Sequence, residues 1–400
     1  MSPLRPAAVQ VFVLGFTQTI AWASSVYLVA IVALPIGREL TVPDTTVYGA
    51  FSLALAISAL LGPSIGRAID RSGGRAVLAA SNLVLASGLA LLAVSPNVSM
   101  LFVAWFVLGV GMAMGLYDTA FAVMVRMHGQ AARGPITGIT LIAGFASTLG
   151  WPLSTLLDSQ FGWRTTCLTW ALLHVVLCLP LNLRTVPAAS PRVLSQPLPA
   201  RPDERGAEAA ASPSRLELGL MILFFAATAF VTSAMAAHLP GLLLATGAGA
   251  GTAIAAASLV GPAQVGARAV EYVAARRLRF HPLVTARVAT ALHPVGGVLL
   301  WVTGGVPFGV FSFALLHGAG NGMITIAKGT LPLAVFGNTG YGHRLGVLNI
   351  LARGMQALAP FVFGLVLERF GVHDALAVSI TVSLAALAAL AALRARAKAE

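Results

Sequence analysis

Charge is what this sequence has least of. Only 10% of its 400 residues are Asp, Glu, Lys or Arg, where a soluble domain carries roughly 25%. Most of the chain therefore has no water to face, which excludes an ordinary soluble globule. Lysine is scarcer still: Lys328 and Lys398 are lysines among 25 basic residues, and all the others are arginines. Cysteine is nearly absent, and Cys167 and Cys178 lie eleven residues apart in one apolar segment. That spacing supports neither a disulfide framework nor a metal motif. No G-x-x-x-x-G-K-[ST] run occurs, so no P-loop engine is expected. No nucleophile, base and orienter come together, so no enzyme is expected, and no cofactor or metal. The formal charge of +12 does not point to nucleic acid, because the arginines sit in short loops between apolar runs.

Apolar residues make up 58% of the chain. They fall into runs near 8–36, 46–65, 76–94, 100–125, 136–157 and 165–183, then near 217–244, 250–274, 283–303, 307–330, 345–367 and 375–393. A bilayer crossing needs about 20 such residues. The expectation is an all-α integral membrane protein with twelve transmembrane helices, six in each half. Ala21-Trp22-Ala23 resembles a signal-peptidase site, but the apolar run continues to Ile36, so this reads as a retained first helix. The expected domains are 1–183, a six-helix half, 184–216, a cytoplasmic linker rich in Pro, Ala, Ser and Arg, and 217–400, a second six-helix half. With both termini inside, eighteen Lys and Arg fall on the cytoplasmic side and only Arg38, Arg164 and Arg369 fall opposite.

The two halves repeat. Residues 62–75 read GPSIGRAIDRSGGR after the second run; Gly261-Pro262-Ala263-Gln264-Val265-Gly266-Ala267-Arg268 closes the eighth, followed by Glu271, Arg276 and Arg277. A shift of 209 residues lays Gly109-Val110-Gly111 on Gly318-Ala319-Gly320 and Gly162 on Gly371, and brings Asp118 within one position of Lys328. Two similar halves in a multi-pass protein point to a transporter.

Six plus six helices, a central linker and GPSIGRAIDRSGGR resemble the major facilitator superfamily. Asp70, Arg71, Gly73 and Arg75 match its signature loop, and Phe161-Gly162-Trp163-Arg164 matches a phrase common in it. Gln264 and Arg268 resemble the monocarboxylate-porter-like branch, with the arginine kept and the acid missing. Gly115-Leu116-Tyr117-Asp118-Thr119-Ala120-Phe121-Ala122 looks like a bacterial subgroup of that branch. The resemblance implies a fold in which helices 1, 4, 7 and 10 line a central cavity. It also implies that Asp70, with Arg71 and Arg75, gates the cytoplasmic side, and Glu271 is a candidate for similar work in the second half.

Several polar groups stand inside apolar runs, where insertion is costly. Asp118 is either a proton carrier or the ion-pair partner of a cation such as Arg353. Lys328, in a chain that otherwise writes arginine, either binds an anion or snorkels to the headgroups. Arg268 and Arg353 suit bidentate capture of a carboxylate or phosphate. Gln18, Trp22, Tyr27, Tyr117, His238 and Asn321 are the remaining candidate substrate contacts. His174, His293 and His317 read as packing. Cations in the spans outnumber the one central acid. The expected function is therefore secondary transport of a small organic anion, a carboxylate by first choice, by alternating access and coupled to protons. The alternative is a proton-coupled exporter of lipophilic or cationic drugs. The partners are a small-molecule substrate, protons and the lipid bilayer of a bacterial cytoplasmic membrane, with no nucleic acid and the protein a monomer.

Overall fold

Backbone amides inside a bilayer find no water, so apolar runs must pair them internally as helices. The computed structural model describes residues 7–128, 132–187, 214–278, 281–336 and 341–393, and it contains no strand among them. Eleven stretches among these residues are long and apolar enough to cross a membrane. The longest, Gly134–Thr185, has 52 residues. As one helix it would be about 78 Å long, against a hydrocarbon core of about 30 Å. It is broken at Gly162 (φ 79°, ψ 165°) and so supplies two of the expected crossings.

The N-terminal half contains α1 (Ala7–Ser25), α2 (Val29–Leu40), α3 (Asp44–Ser72), α4 (Gly74–Ala93), α5 (Val98–Gly115), α6 (Tyr117–His128), α7 (Arg133–Ala143), α8 (Ala146–Leu173), a π-turn at His174–Cys178 and α9 (Leu179–Thr185). The C-terminal half contains α10 (Arg215–Ala245), α11 (Ala250–Ser258), α12 (Val260–Leu278), α13 (Pro282–Thr303), α14 (Pro307–Phe336), α15 (Tyr341–Phe370) and α16 (Val372–Ala392). The chain divides into two compact units, 1–200 and 201–400, each with its own core. Most of the expected linker, 188–213, lies outside the described residues. Beyond it α10 begins in a capping box: the Ser214 hydroxyl accepts from the Glu217 amide (3.1 Å), and the Glu217 carboxylate accepts from the Ser214 amide (2.9 Å). Such caps contribute about 1 kcal/mol.

The glycines that align at 209 residues do the same work in each half. A Cβ on Gly109 would lie 2.6 Å from the Ala54 carbonyl oxygen of α3, and one on Gly318 would lie 2.7 Å from the Val260 carbonyl oxygen of α12. Two residues on, Gly111 abuts Leu85 of α4 and Gly320 abuts Ala289 of α13. One G-x-G pair thus seats the central helix of each half against two neighbours, the close approach that membrane helices use in place of a hydrophobic drive. Gly162 and Gly371 are also equivalent. Gly371 (φ 86°, ψ −177°) turns α15 into α16 in the conformation that Gly162 adopts inside α8, a region essentially reserved for glycine. Large apolar side chains such as Phe12 (66% exposed), Leu60 (74%) and Val302 (80%) face outward, which suits lipid.

Candidate functional site

The fourth apolar run is not one helix. Leu116 is extended (φ −85°, ψ −172°), α5 stops at Gly115, and α6 starts at Tyr117. The break leaves carbonyls without helical partners, and side chains take them. Gln18 of α1 donates to the Gly115 carbonyl at 2.6 Å, and the Thr119 hydroxyl donates to the Ala113 carbonyl at 2.9 Å. Asp118 was expected inside an apolar helix. It stands instead in the first turn of α6, exposed, where the helix dipole favours a negative charge. The break thereby offsets part of the cost that a mid-helix acid would carry.

Around this break the structure gathers the other aromatic candidates of the N-terminal half. The Trp22 ring lies 4.9 Å from Tyr117 and 6.4 Å from Tyr27. Tyr117 stacks on Phe121 at 5.1 Å, and Tyr27 meets Trp151 edge-on at 5.1 Å. Tyr27 sits in the turn between α1 and α2, where its amide bonds the Trp22 carbonyl at 3.1 Å. The buried Nε1 of Trp22, Nε1 of Trp151 and Oε1 of Gln18 have no hydrogen-bond partner among the described residues. Trp151 escaped the sequence reading because it lies on the fifth run, outside the set of cavity-lining helices.

In the C-terminal half one cation, Lys328, stands on α14 and another, Arg268, reaches it. Arg268 of α12 donates through Nε to the Gly322 carbonyl (3.3 Å) and through Nη2 to the Thr325 hydroxyl (3.4 Å). Asn321 accepts at Oδ1 from the Thr232 hydroxyl of α10 at 3.0 Å. The Nζ of Lys328 lies 5.7 Å from the centre of the Phe225 ring, within cation–π range. Arg353 lies on α15, half-buried. His238 is held on α10 by two contacts: its Nε2–H donates to the Pro360 carbonyl at 2.8 Å and its ring lies 5.3 Å from Phe363. Pro360 lacks an amide hydrogen and so strands the Gln356 carbonyl, four residues back. The Ser233 hydroxyl of α10 donates to that carbonyl at 2.7 Å.

Of the gating candidates, Arg71 is exposed and Arg75 half-buried, at the junction of α3 and α4. The Asp70 side chain lies outside the described residues. Glu271 accepts from the Thr285 hydroxyl at 3.2 Å, joining α12 to α13. Sequence reading missed a further cluster. Glu39, near the end of α2, takes a two-pronged contact from Arg164, at 2.6 Å from Nη2 and 3.1 Å from Nε, and a hydrogen bond from Trp163 Nε1 at 2.7 Å. Arg164 also donates to the carbonyls of Ala93, the last residue of α4, and of Ser95 just beyond it. The Phe-Gly-Trp-Arg phrase thus ties three helix ends together inside the N-terminal half.

Paired bundles of apolar helices, glycine-seated and interrupted at polar points, define a multi-pass membrane protein of the carrier class. The chain belongs to the Major Facilitator Superfamily, whose model matches residues 11–360. That family is one of membrane transporters. The chain is 31% identical over 128 residues to human monocarboxylate transporter 14 and equally to the mouse protein; the match covers 32% of this chain and 25% of theirs. The chain therefore spans about a quarter of the length of the curated relatives it matches. Among solved structures it is similar to the nucleoside transporter NupG (TM-score 0.71, 14% identity, 97% of this chain and 99% of that one). It is also similar to a bacterial homologue of the human lysosomal transporter Spinster, inward-facing and occupied (TM-score 0.70, 14% identity, 95% of each chain). At such identities the structural likeness bears on the fold alone.

Proposed function

We propose that this transporter moves a small organic anion, a carboxylate by first choice, by alternating access coupled to protons. It works as a monomer in a bacterial cytoplasmic membrane with both termini inside. The observation that carries the reading is Lys328. It is a lysine within a membrane span, with an aromatic ring rather than a carboxylate beside its ammonium group among the described residues. A cation so placed favours a carboxylate arriving as cargo. Arg268, Arg353 and Asn321 are assigned to the cargo with it, and in the N-terminal half Gln18, Trp22, Tyr27 and Tyr117. Asp118 is assigned to the proton, and Asp70, Arg71, Arg75 and Glu271 to gating. The partial match to a protein named for monocarboxylates agrees with the choice.

A second reading, export of lipophilic cations, is favoured by Asp118 standing next to a Tyr117 ring that packs on Trp22 and Phe121. A thermal-shift series on the purified protein separates the two. Its arms are lactate, pyruvate and benzoate, phosphate and arsenate, and tetraphenylphosphonium. A ligand at 100 times its Kd stabilises by about 2.7 kcal/mol. Stabilisation by an anion, lost in Lys328→Ala, is the expected result. Stabilisation by the cation alone, lost in Asp118→Asn, overturns the anion reading.

A further inference from the structure

Eight histidines are spread along the sequence, and two of them meet. His293 of α13 and His317 of α14 face each other with Nδ1 to Nδ1 at 2.8 Å, and their rings lie 4.9 Å apart at 73°. They are 4% and 5% exposed. A hydrogen bond between two Nδ1 atoms needs one hydrogen. The donating ring is then bare at Nε2, and the accepting ring carries its hydrogen there. His293 Nε2 is buried with no partner among the described residues, and a buried polar atom left so is costly. Both histidines line a cavity of about 20 Å³, together with Thr232, Thr290, Asn321 and Ser383. That is room for about one water molecule, with polar groups to hold it.

We propose that the His293–His317 pair and this cavity form a proton-binding site inside the C-terminal half. A proton passes from hydronium to the bare Nε2 of the ring that donates at Nδ1: one O–H bond breaks, one N–H bond forms, and water is left. The product is a monocation in which both Nε2 atoms carry hydrogen and the Nδ1–Nδ1 bond becomes charge-assisted. No other bond forms or breaks. A water in the cavity gives the incoming proton its path and the new N–H its acceptor. Phe313 lies against both rings, 5.5 Å from His293 and stacked at 5.9 Å on His317, and its π-face suits the cation.

The cavity lining holds no charged group. On the helices packed about the pair, Arg287 of α13 donates to the carbonyls of Leu390, Ala391 and Leu393, and Arg268 to Gly322 and Thr325. Glu271 is bonded to Thr285, His238 to Pro360, and Lys328 lies over Phe225. Arg353 of α15 is absent from the lining. On α16, which packs on α13, Asp374 and His373 stand exposed in the first turn, His373 against the Trp301 ring at 6.3 Å, so no charged group touches the pair among the described residues.

The site deepens the proton-coupled reading, on which its role in transport rests, but proton binding is measured without any cargo. The full chain, labelled with ring-¹⁵N histidine in lipid nanodiscs, is titrated from pH 8 to pH 4.5 by NMR. The expected result is one coupled pair of rings that takes up a single proton, with all four ring nitrogens shifting together. In His293→Gln and in His317→Gln the coupled transition disappears. Phe313→Leu keeps both rings and should lower the midpoint by roughly half a pH unit or more, so the test survives if the histidine variants fail to fold. Rings that stay neutral throughout, or that titrate independently, overturn the proposal. A coupled transition alongside thermal stabilisation by the cation alone would uphold the site and sink the anion reading.

Discussion

The two halves share their seating and differ in their interruptions. In the N-terminal half the first run breaks at 26–28, the fourth at Leu116 and the fifth at 144–145. Their counterparts in the C-terminal half, α10, α14 and α15, run unbroken for 31, 30 and 30 residues. The second and eighth runs reverse the pattern. α3 is continuous for 29 residues, while α11 and α12 are divided at Leu259. The G-x-G seating, by contrast, recurs at the same two glycines of each half, Gly109 and Gly111 against Gly318 and Gly320. Glycine spacing therefore carries the scaffold, and each half places its own breaks and polar groups upon it. In the N-terminal half a break frees carbonyls for Gln18 and Thr119. In the C-terminal half a proline frees one for Ser233.

The largest expected effect tests the shared seating. Gly109→Leu and Gly318→Leu each drive a side chain into the backbone of the next helix, which cannot yield as a side chain can. Overpacking costs typically 1–3 kcal/mol and more where backbone must shift. Both variants should lose most of their monodisperse peak in size-exclusion chromatography. If one half tolerates leucine and the other does not, the seating is not common to both.

The turn glycines sharpen the same comparison by a different mechanism. Nothing lies within 4 Å of a Cβ at Gly162 or Gly371, so alanine there meets no clash and only backbone strain. Each substitution should cost about 1–3 kcal/mol, read as matched falls in Tm. Unequal falls would show that the two turns bear different loads.

The apolar runs, the glycines that repeat at 209 residues and the Phe-Gly-Trp-Arg phrase were legible because each is written directly in residue type and spacing. Spans answer to hydropathy, and a positive φ answers to glycine. The interruption at Leu116 was not legible. A leucine within an apolar run carries no breaking signal, and the break is made good by Gln18, 97 residues away. The Glu39–Arg164 contact, 125 residues apart, and the His293–His317 pair, on different runs, are likewise products of packing. Asp118 shows the limit most clearly. Its position in an apolar run argued for an acid at high cost, and the unseen break converts it to an exposed first-turn residue. His238 shows the converse, since a histidine beside a proline in sequence proved to serve a different proline, Pro360, on another helix.

The smallest effect concerns how a half tolerates its own interruption. Ser233→Ala strands the Gln356 carbonyl and should lower stability by about 1–2 kcal/mol. Pro360→Ala restores an amide that can take that carbonyl within α15. In the Pro360→Ala background the serine is no longer needed, so Ser233→Ala should cost less than about 0.5 kcal/mol. Equal costs in both backgrounds would mean that Ser233 acts by packing against α15. A coupling would mean that the C-terminal half keeps α15 continuous by borrowing a hydroxyl from α10, as the N-terminal half borrows an amide from α1 to hold its broken fourth run.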